Sequence, residues 1–158
     1  MANMTADLQR LYQDAARLHE FECVGYTAMQ GGNVAYTIYK GAVVMIDVSD
    51  LDGYAQPRQS GTNAATGDIF LGIAAEQVAI TSADAANGSK KVRVWQRGVF
   101  AFAKCGLAKS DIGVLAYASD DGTVTTTSTN NLKIGYIRDV DDTYAWIDID
   151  LMAGQVAA

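Results

Sequence analysis

In Lys91-Val92-Arg93-Val94-Trp95-Gln96 polar and apolar side chains alternate from Lys91 to Val94, and in Trp146-Ile147-Asp148-Ile149-Asp150-Leu151, near the other end of the chain, they alternate from Ile147 to Leu151. Successive side chains of a strand point to opposite faces, so each stretch predicts a β-strand with one face in a core and one in water. Working outward, Ala35 to Tyr39, Ala42 to Val48, Ile69 to Ala74, Val99 to Ala103, Gly113 to Ala118, Thr123 to Thr127, Leu132 to Ile137 and Tyr144 to Leu151 are further strand candidates. Each is rich in Val, Ile, Tyr, Thr or other strand formers and is bounded by Gly, Asn or Asp. Asp52-Gly53, Asn87-Gly88 and Asp121-Gly122 are dipeptides that accept positive φ in tight hairpins. The expected fold is all-β, a compact β-barrel or β-sandwich.

The strands fall into two similar sets. Lys40-Gly41-Ala42-Val43-Val44, then Asp52-Gly53-Tyr54, Phe70-Leu71-Gly72-Ile73-Ala74 and Val92-Arg93-Val94 make the first. Ile112-Gly113-Val114-Leu115-Ala116, then Asp121-Gly122-Thr123, Lys133-Ile134-Gly135-Tyr136-Ile137 and Ile147-Asp148-Ile149 make the second. Each reads strand, Asp-Gly turn, short strand, x-Gly-x strand, alternating strand. Two related β units are therefore expected to close on each other.

The N-terminal stretch reads differently. Leu8, Leu11, Tyr12, Ala15, Leu18 and Phe21 recur at spacings of three and four, which predicts an amphipathic helix from Thr5 to Glu22. Thr5 is placed to cap it, and Asp7 suits its positive end. Met29-Gln30-Gly31-Gly32-Asn33 then reads as a flexible joint, so residues 1–33 are expected to be a helical arm and residues 34–158 the β domain.

Composition narrows the function. The chain has 158 residues, one Pro, one His, two Cys and 15 Gly, with 19% charged residues. That length suits one domain that needs no disulfide or metal. No run of about 18 apolar residues is present to span a membrane, and the first ten residues lack the apolar core of a signal peptide. Cys23 and Cys105 are then expected to be free, buried thiols. A net charge of −6 argues against non-specific binding to nucleic acid. The charge is segregated along the chain. Lys90, Lys91, Arg93, Arg97, Lys104 and Lys109 stand in a stretch without an acid, whereas eight Asp follow from Asp111 onward against Lys133 and Arg138.

The chemistry-bearing residues do not assemble into a catalytic or metal-binding pattern. A single His forces every His-dependent mechanism onto His19. His19 and Cys23 have the four-residue spacing of two zinc ligands on a helix, yet the chain lacks a second such pair. Asp139, Asp141, Asp142, Asp148 and Asp150 form the densest group of oxygen ligands, but Asp139 to Tyr144 lacks the glycine of a calcium-binding loop, so these acids read as solvated. There is no phosphate loop, dinucleotide fingerprint or nucleophile elbow. The chain is not expected to be an enzyme or to carry a cofactor.

Tyr39-Lys40-Gly41-Ala42-Val43-Val44, Gly53-Tyr54-Ala55, Phe70-Leu71-Gly72-Ile73-Ala74, Gly98-Val99-Phe100, Asp111-Ile112-Gly113, Ala116-Tyr117-Ala118, Asp120-Asp121-Gly122-Thr123-Val124 and Ile134-Gly135-Tyr136-Ile137 carry a resemblance over about Ala35 to Leu151. The pattern resembles the small capsid decoration (cement) proteins of tailed bacteriophages and prophages. The resemblance implies a compact β fold that binds the outside of the expanded head at junctions between major capsid protein capsomers. It also implies a homo-oligomer, a trimer at a threefold site in preference to a dimer at a twofold site, located on the virion surface after synthesis in the bacterial cytoplasm. The helix expected from Thr5 is longer than the terminal segment of that family.

Contact with the capsid or a neighbouring subunit is expected from the arm, through Leu8, Leu11, Tyr12, Leu18 and Phe21, and from the basic strip Lys91, Arg93, Trp95 and Arg97. The competing expectation is a carbohydrate- or host-surface-binding β module. In it Tyr54, Trp95, Tyr117, Tyr136, Tyr144 and Trp146 would stack on sugars.

Overall fold

The computed structural model describes residues 3–8, 10, 12–50, 52–64 and 67–150. The strands are β1 (Tyr12–Glu22), β2 (Tyr36–Ile38), β3 (Val43–Ile46), β4 (Ala55–Pro57), β5 (Ile69–Ala74), β6 (Val78–Ile80), β7 (Lys91–Ala103), β8 (Leu115–Ala118), β9 (Val124–Thr125), β10 (Leu132–Val140) and β11 (Tyr144–Asp150). Two 3-10 turns, Val48–Asp50 and Lys109–Asp111, are the only helical pieces among the described residues. The all-β class therefore holds.

The nine-stranded sheet runs β4-β3-β5-β7-β11-β10-β8-β9, with β1 paired to β7; β2 and β6 form a separate pair. This order is a palindrome about the β7–β11 contact, and the hydrogen bonds make the duplication explicit. Gly41 N–H donates to Ala74 O, and Gly113 N–H donates to Ile137 O. Both glycines have φ of +88°. Ile73 and Ala74 pair with Trp95 and Val94, as Tyr136 and Ile137 pair with Asp148 and Ile147. The match extends to a strand that the sequence hides. Leu18 to Glu22 pair with Trp95 to Lys91 in the register in which Val99 to Ala103 pair with Asp148 to Tyr144. β1 is thus the first unit's counterpart of the second half of β7, and the 13-residue β7 serves both units. Gly98, at φ +136°, stands between the halves.

Each unit has its own core. Cys23, Val44, Leu71, Ala74, Val92 and Val94 are buried in the first, closed by Ile38, Val78 and Ile80 of the β2–β6 pair. Phe100, Phe102, Ala116, Ile134, Ile137 and Ile147 are buried in the second. The wall between them is β3 and β5, whose alternate residues go to different cores. Val44 and Leu71 face the first, while Val43, Met45, Phe70 and Ile73 face the second. The first unit closes as a small barrel, because Cys23 bridges Ala55 of β4 and Val24 N–H donates to Ala55 O.

The helix expected over Thr5–Glu22 is overturned by β1. Its spacing does not make one buried stripe: Leu8 and Leu18 are exposed by 46% and 41%, while Phe21 packs on the first core. Antiparallel pairing of eight β1 residues with β7 outweighs a local helical preference, which amounts to a few tenths of a kcal/mol per residue, roughly. Met29–Asn33 is a closed turn, in which Gly32 N–H donates to Met29 O and Val34 N–H to Tyr26 O, with Met29 buried. Asp121-Gly122 is not a surface hairpin with positive φ. Gly122 is absent from the positive-φ residues, and Asp120 and Asp121 are 0% and 1% exposed. Cys23 is buried as expected, but Cys105 is exposed.

Candidate interaction surface

Because β1 lies on β7, two residue sets that are far apart in sequence meet on one face. Leu18 stands opposite Trp95, Glu20 opposite Arg93 and Glu22 opposite Lys91. Alternation turns Phe21 and Cys23 inward and leaves Leu18, Glu20 and Glu22 on the outer face. Leu18, Glu20, Lys91, Arg93 and Arg97 are exposed, and Trp95 is half-buried. Leu8 joins them, lining a shallow notch with Trp95, Arg10 and Lys40. Leu11 lies outside the described residues. Tyr12 pairs through its backbone with Phe100.

The cations are paired with acids from elsewhere in the fold. Arg93 donates through Nη2 to Glu76 Oε2 at 2.9 Å and through Nε at 3.2 Å, while its backbone N–H donates to Glu76 Oε1. The Arg93 side chain holds the Glu76 carboxyl below its ordinary value. Lys91 lies 3.6 Å from Glu20, Lys90 3.3 Å from Asp84 and Lys109 2.9 Å from Asp139. The charge segregation along the chain therefore becomes a mixed surface in space. What β1 and β7 present is an apolar pair, Leu18 and Trp95, flanked by ion pairs.

The segment before β1 is tied to its own domain. Ser60 N–H donates to Asn3 Oδ1, Met4 N–H to Asp121 Oδ1, Lys40 N–H to Asp7 Oδ1 and Leu8 N–H to Lys40 O. Arg10 is the anchor. It is buried, its guanidinium lies 3.6 Å from the Phe102 ring centre, and it donates to Gly41 O and to Ala101 O. Burial pushes it down to about 9, while Asp121 and Asp120 work in the opposite direction.

A polar seam between the units is what sequence reading missed. Arg58, 2% exposed, donates to Ala118 O and Asn130 O of the second unit and to Thr62 Oγ1 and O of its own loop. Val43 N–H donates to Asp121 O across the same junction. Burial raises Asp121 to about 6, with Asp120 adding to the rise, while the Met4 N–H and Arg10 oppose it. The signal in the sequence was the Asp120-Asp121 doublet, which a plain hairpin does not need.

The acidic group is dispersed by structural duties. Asp141 accepts from Thr143 N–H, Tyr144 N–H and Trp146 Nε1, Asp139 from Lys109 and Val140 N–H, and Asp148 lies 3.5 Å from Arg138. Among the described residues no three His, Cys, Asp or Glu are grouped to hold a metal ion. His19 and Cys23, four apart on a strand, are separated by about 13 Å along it. His19 instead packs against Phe21, with ring centres 4.7 Å apart. Of the aromatic residues, Tyr117 is buried, Tyr136 is 53% exposed, and Tyr144 meets Trp146 edge-on at 6.1 Å. No helix among the described residues is long and apolar enough to cross a membrane. Comparisons with family models, with curated proteins and with solved structures find no match to this chain.

Proposed function

We propose that this chain is a structural virion protein. It binds the outer surface of a tailed-phage capsid at junctions between major capsid protein capsomers and stabilises the expanded head. The observation that carries the reading is the meeting of Leu18 with Trp95 on a face framed by Arg93–Glu76 and Lys91–Glu20. An apolar centre within a polar rim is the anatomy of a protein-binding surface. A body with two cores joined by buried hydrogen bonds suits a clamp that resists outward pressure without performing chemistry. Modest contacts repeated around a symmetric shell then add by multivalency. In this reading the chain is a homo-oligomer, a trimer in preference to a dimer, and is neither an enzyme nor a nucleic-acid or membrane binder.

Co-sedimentation of the purified protein with expanded and unexpanded capsids of the phage that carries it tests the proposal. Binding to the expanded shell alone supports it, and binding to neither refutes it. A second reading, a carbohydrate-binding module, draws on the shallow recess formed by Trp146, Val99, Arg138 and Asp139. Retention on immobilised polysaccharide that is lost in Trp146→Ala would favour that reading.

A further inference from the structure

The duplication makes one face of the second unit conspicuous. In the first unit, the outer face of β3 and β5 carries Val43, Met45, Phe70 and Ile73, all buried because the second unit covers them. Matching Gly41 to Gly113 and Gly72 to Gly135, the same four positions in the second unit are Leu115, Tyr117, Lys133 and Tyr136. Three of the four are again large and apolar or aromatic. Here, however, nothing among the described residues covers the centre: Tyr136 is 53% exposed and Leu115, its cross-strand partner, is half-exposed. Ile112 and Val114, at 43% and 41%, extend the patch, and Val114 O accepts from Ile137 N–H beside Tyr136. Three of the six exposed large apolar residues among the described ones, Ile112, Val114 and Tyr136, thus lie in the turn that leads into β8 and on the strand bonded to it. Contiguous exposed apolar groups of this kind mark association sites.

We propose that the outer face of β8 and β10, centred on Tyr136, docks a second copy of this chain. The occupant follows from the repeat. This type of face is already used once within the molecule, and what covers it there is another β unit of the same kind. The proposal deepens the homo-oligomer of the proposed function by naming the face that forms it, and it is tested on the isolated protein, apart from capsid binding.

The test is the mass of the full-length protein in solution, by light scattering or sedimentation over a concentration series, for the wild type, Tyr136→Glu, Ile112→Glu and Ile69→Glu. Ile69 is 44% exposed but lies on β5, away from the patch, and controls for general surface charge. The expected result is a multimeric wild type and Ile69→Glu, with Tyr136→Glu and Ile112→Glu shifted to monomer at unchanged circular dichroism. A monomeric wild type overturns the proposal. So does a multimer that survives both patch substitutions, or one that Ile69→Glu disperses equally. If Tyr136→Glu leaves the mass unchanged but abolishes capsid co-sedimentation, the face belongs to the capsid and the proposal is likewise overturned. Loss of the multimer in a protein whose wild type binds no capsid would uphold this inference while refuting the virion reading.

Discussion

Gly72 lies so close to the backbone of Trp95 that a Cβ on it would stand 2.2 Å from the Trp95 carbonyl oxygen. Its counterpart Gly135 has the same relation to Asp148, at 2.1 Å. Both sit beside register shifts in their strands, where only a residue without a side chain lets the neighbouring backbone approach. Gly72→Ala and Gly135→Ala should each cost about 3 kcal/mol or more, as strain at a special backbone position does. Gly53→Ala, with positive φ but open space around its Cβ, should cost about 1 kcal/mol. Urea unfolding midpoints compare the three, and equal costs would contradict the repeat-specific role.

Arg58 joins the units through the carbonyls of Ala118 and Asn130, the latter also accepting from Ala64 N–H. Arg58→Leu removes these cross-unit hydrogen bonds and leaves Asp68 and Asp120 without the cation that faces them, so a loss of about 3–5 kcal/mol is expected. Arg58→Lys should recover only part, because an ammonium cannot reproduce the planar fork. Thermal unfolding of the two variants checks the order.

Asp121 gives the fold a pH dependence. Its carboxyl is raised by burial from 3.8 to about 6, so the native state holds a proton that the unfolded state has released between those values. The stability from this site is full below about pH 4 and falls as pH rises through about 6. Asp121→Asn keeps the oxygen that accepts from Met4 N–H and should flatten the slope between pH 4 and 6. Denaturant midpoints across that range measure it, and an unchanged slope would place the titration elsewhere.

The two thiols should differ sharply. Burial pushes Cys23 up to about 12 and Glu76 adds to the rise, whereas Cys105 is exposed. One equivalent of thiol per chain should react with a disulfide reagent in the native protein and two after denaturation. Two equivalents in the native state would contradict the burial of Cys23.

Removing residues 1–33 should abolish the fold. It deletes β1 from β7, the barrel closure at Cys23 and Val24, and the buried Met29. The expected readout is loss of the near-ultraviolet circular dichroism signal. A folded truncated domain would instead make these residues an accessory arm.

The alternating stretches and the paired glycines made the all-β fold and its duplication legible, because alternation and close backbone approach act locally. β1 was not legible. Leu8, Leu11, Tyr12, Leu18 and Phe21 have helical spacing, and the pattern that counts, Phe21 and Cys23 inward with Leu18 and Glu20 outward, is too short to compete. Only the partner β7 decides it. The acids that neutralise the basic strip come from β1, from the turn after β5 and from the turn before Lys90, so the charge pattern of the chain could not reveal a mixed surface. The outer face at Tyr136 was visible only as one aromatic among several. It gained meaning once Ile73, its counterpart, was seen buried.

Whether the chain is a capsid-surface protein is decided by an electron-microscopic image reconstruction of the expanded phage head with this protein bound. Density for the two-unit β body is expected on the outer surface at capsomer junctions, with the Leu18–Trp95 face against the shell. A reconstruction in which the protein is absent from the shell, or sits on the tail or inside the head, would contradict that placement.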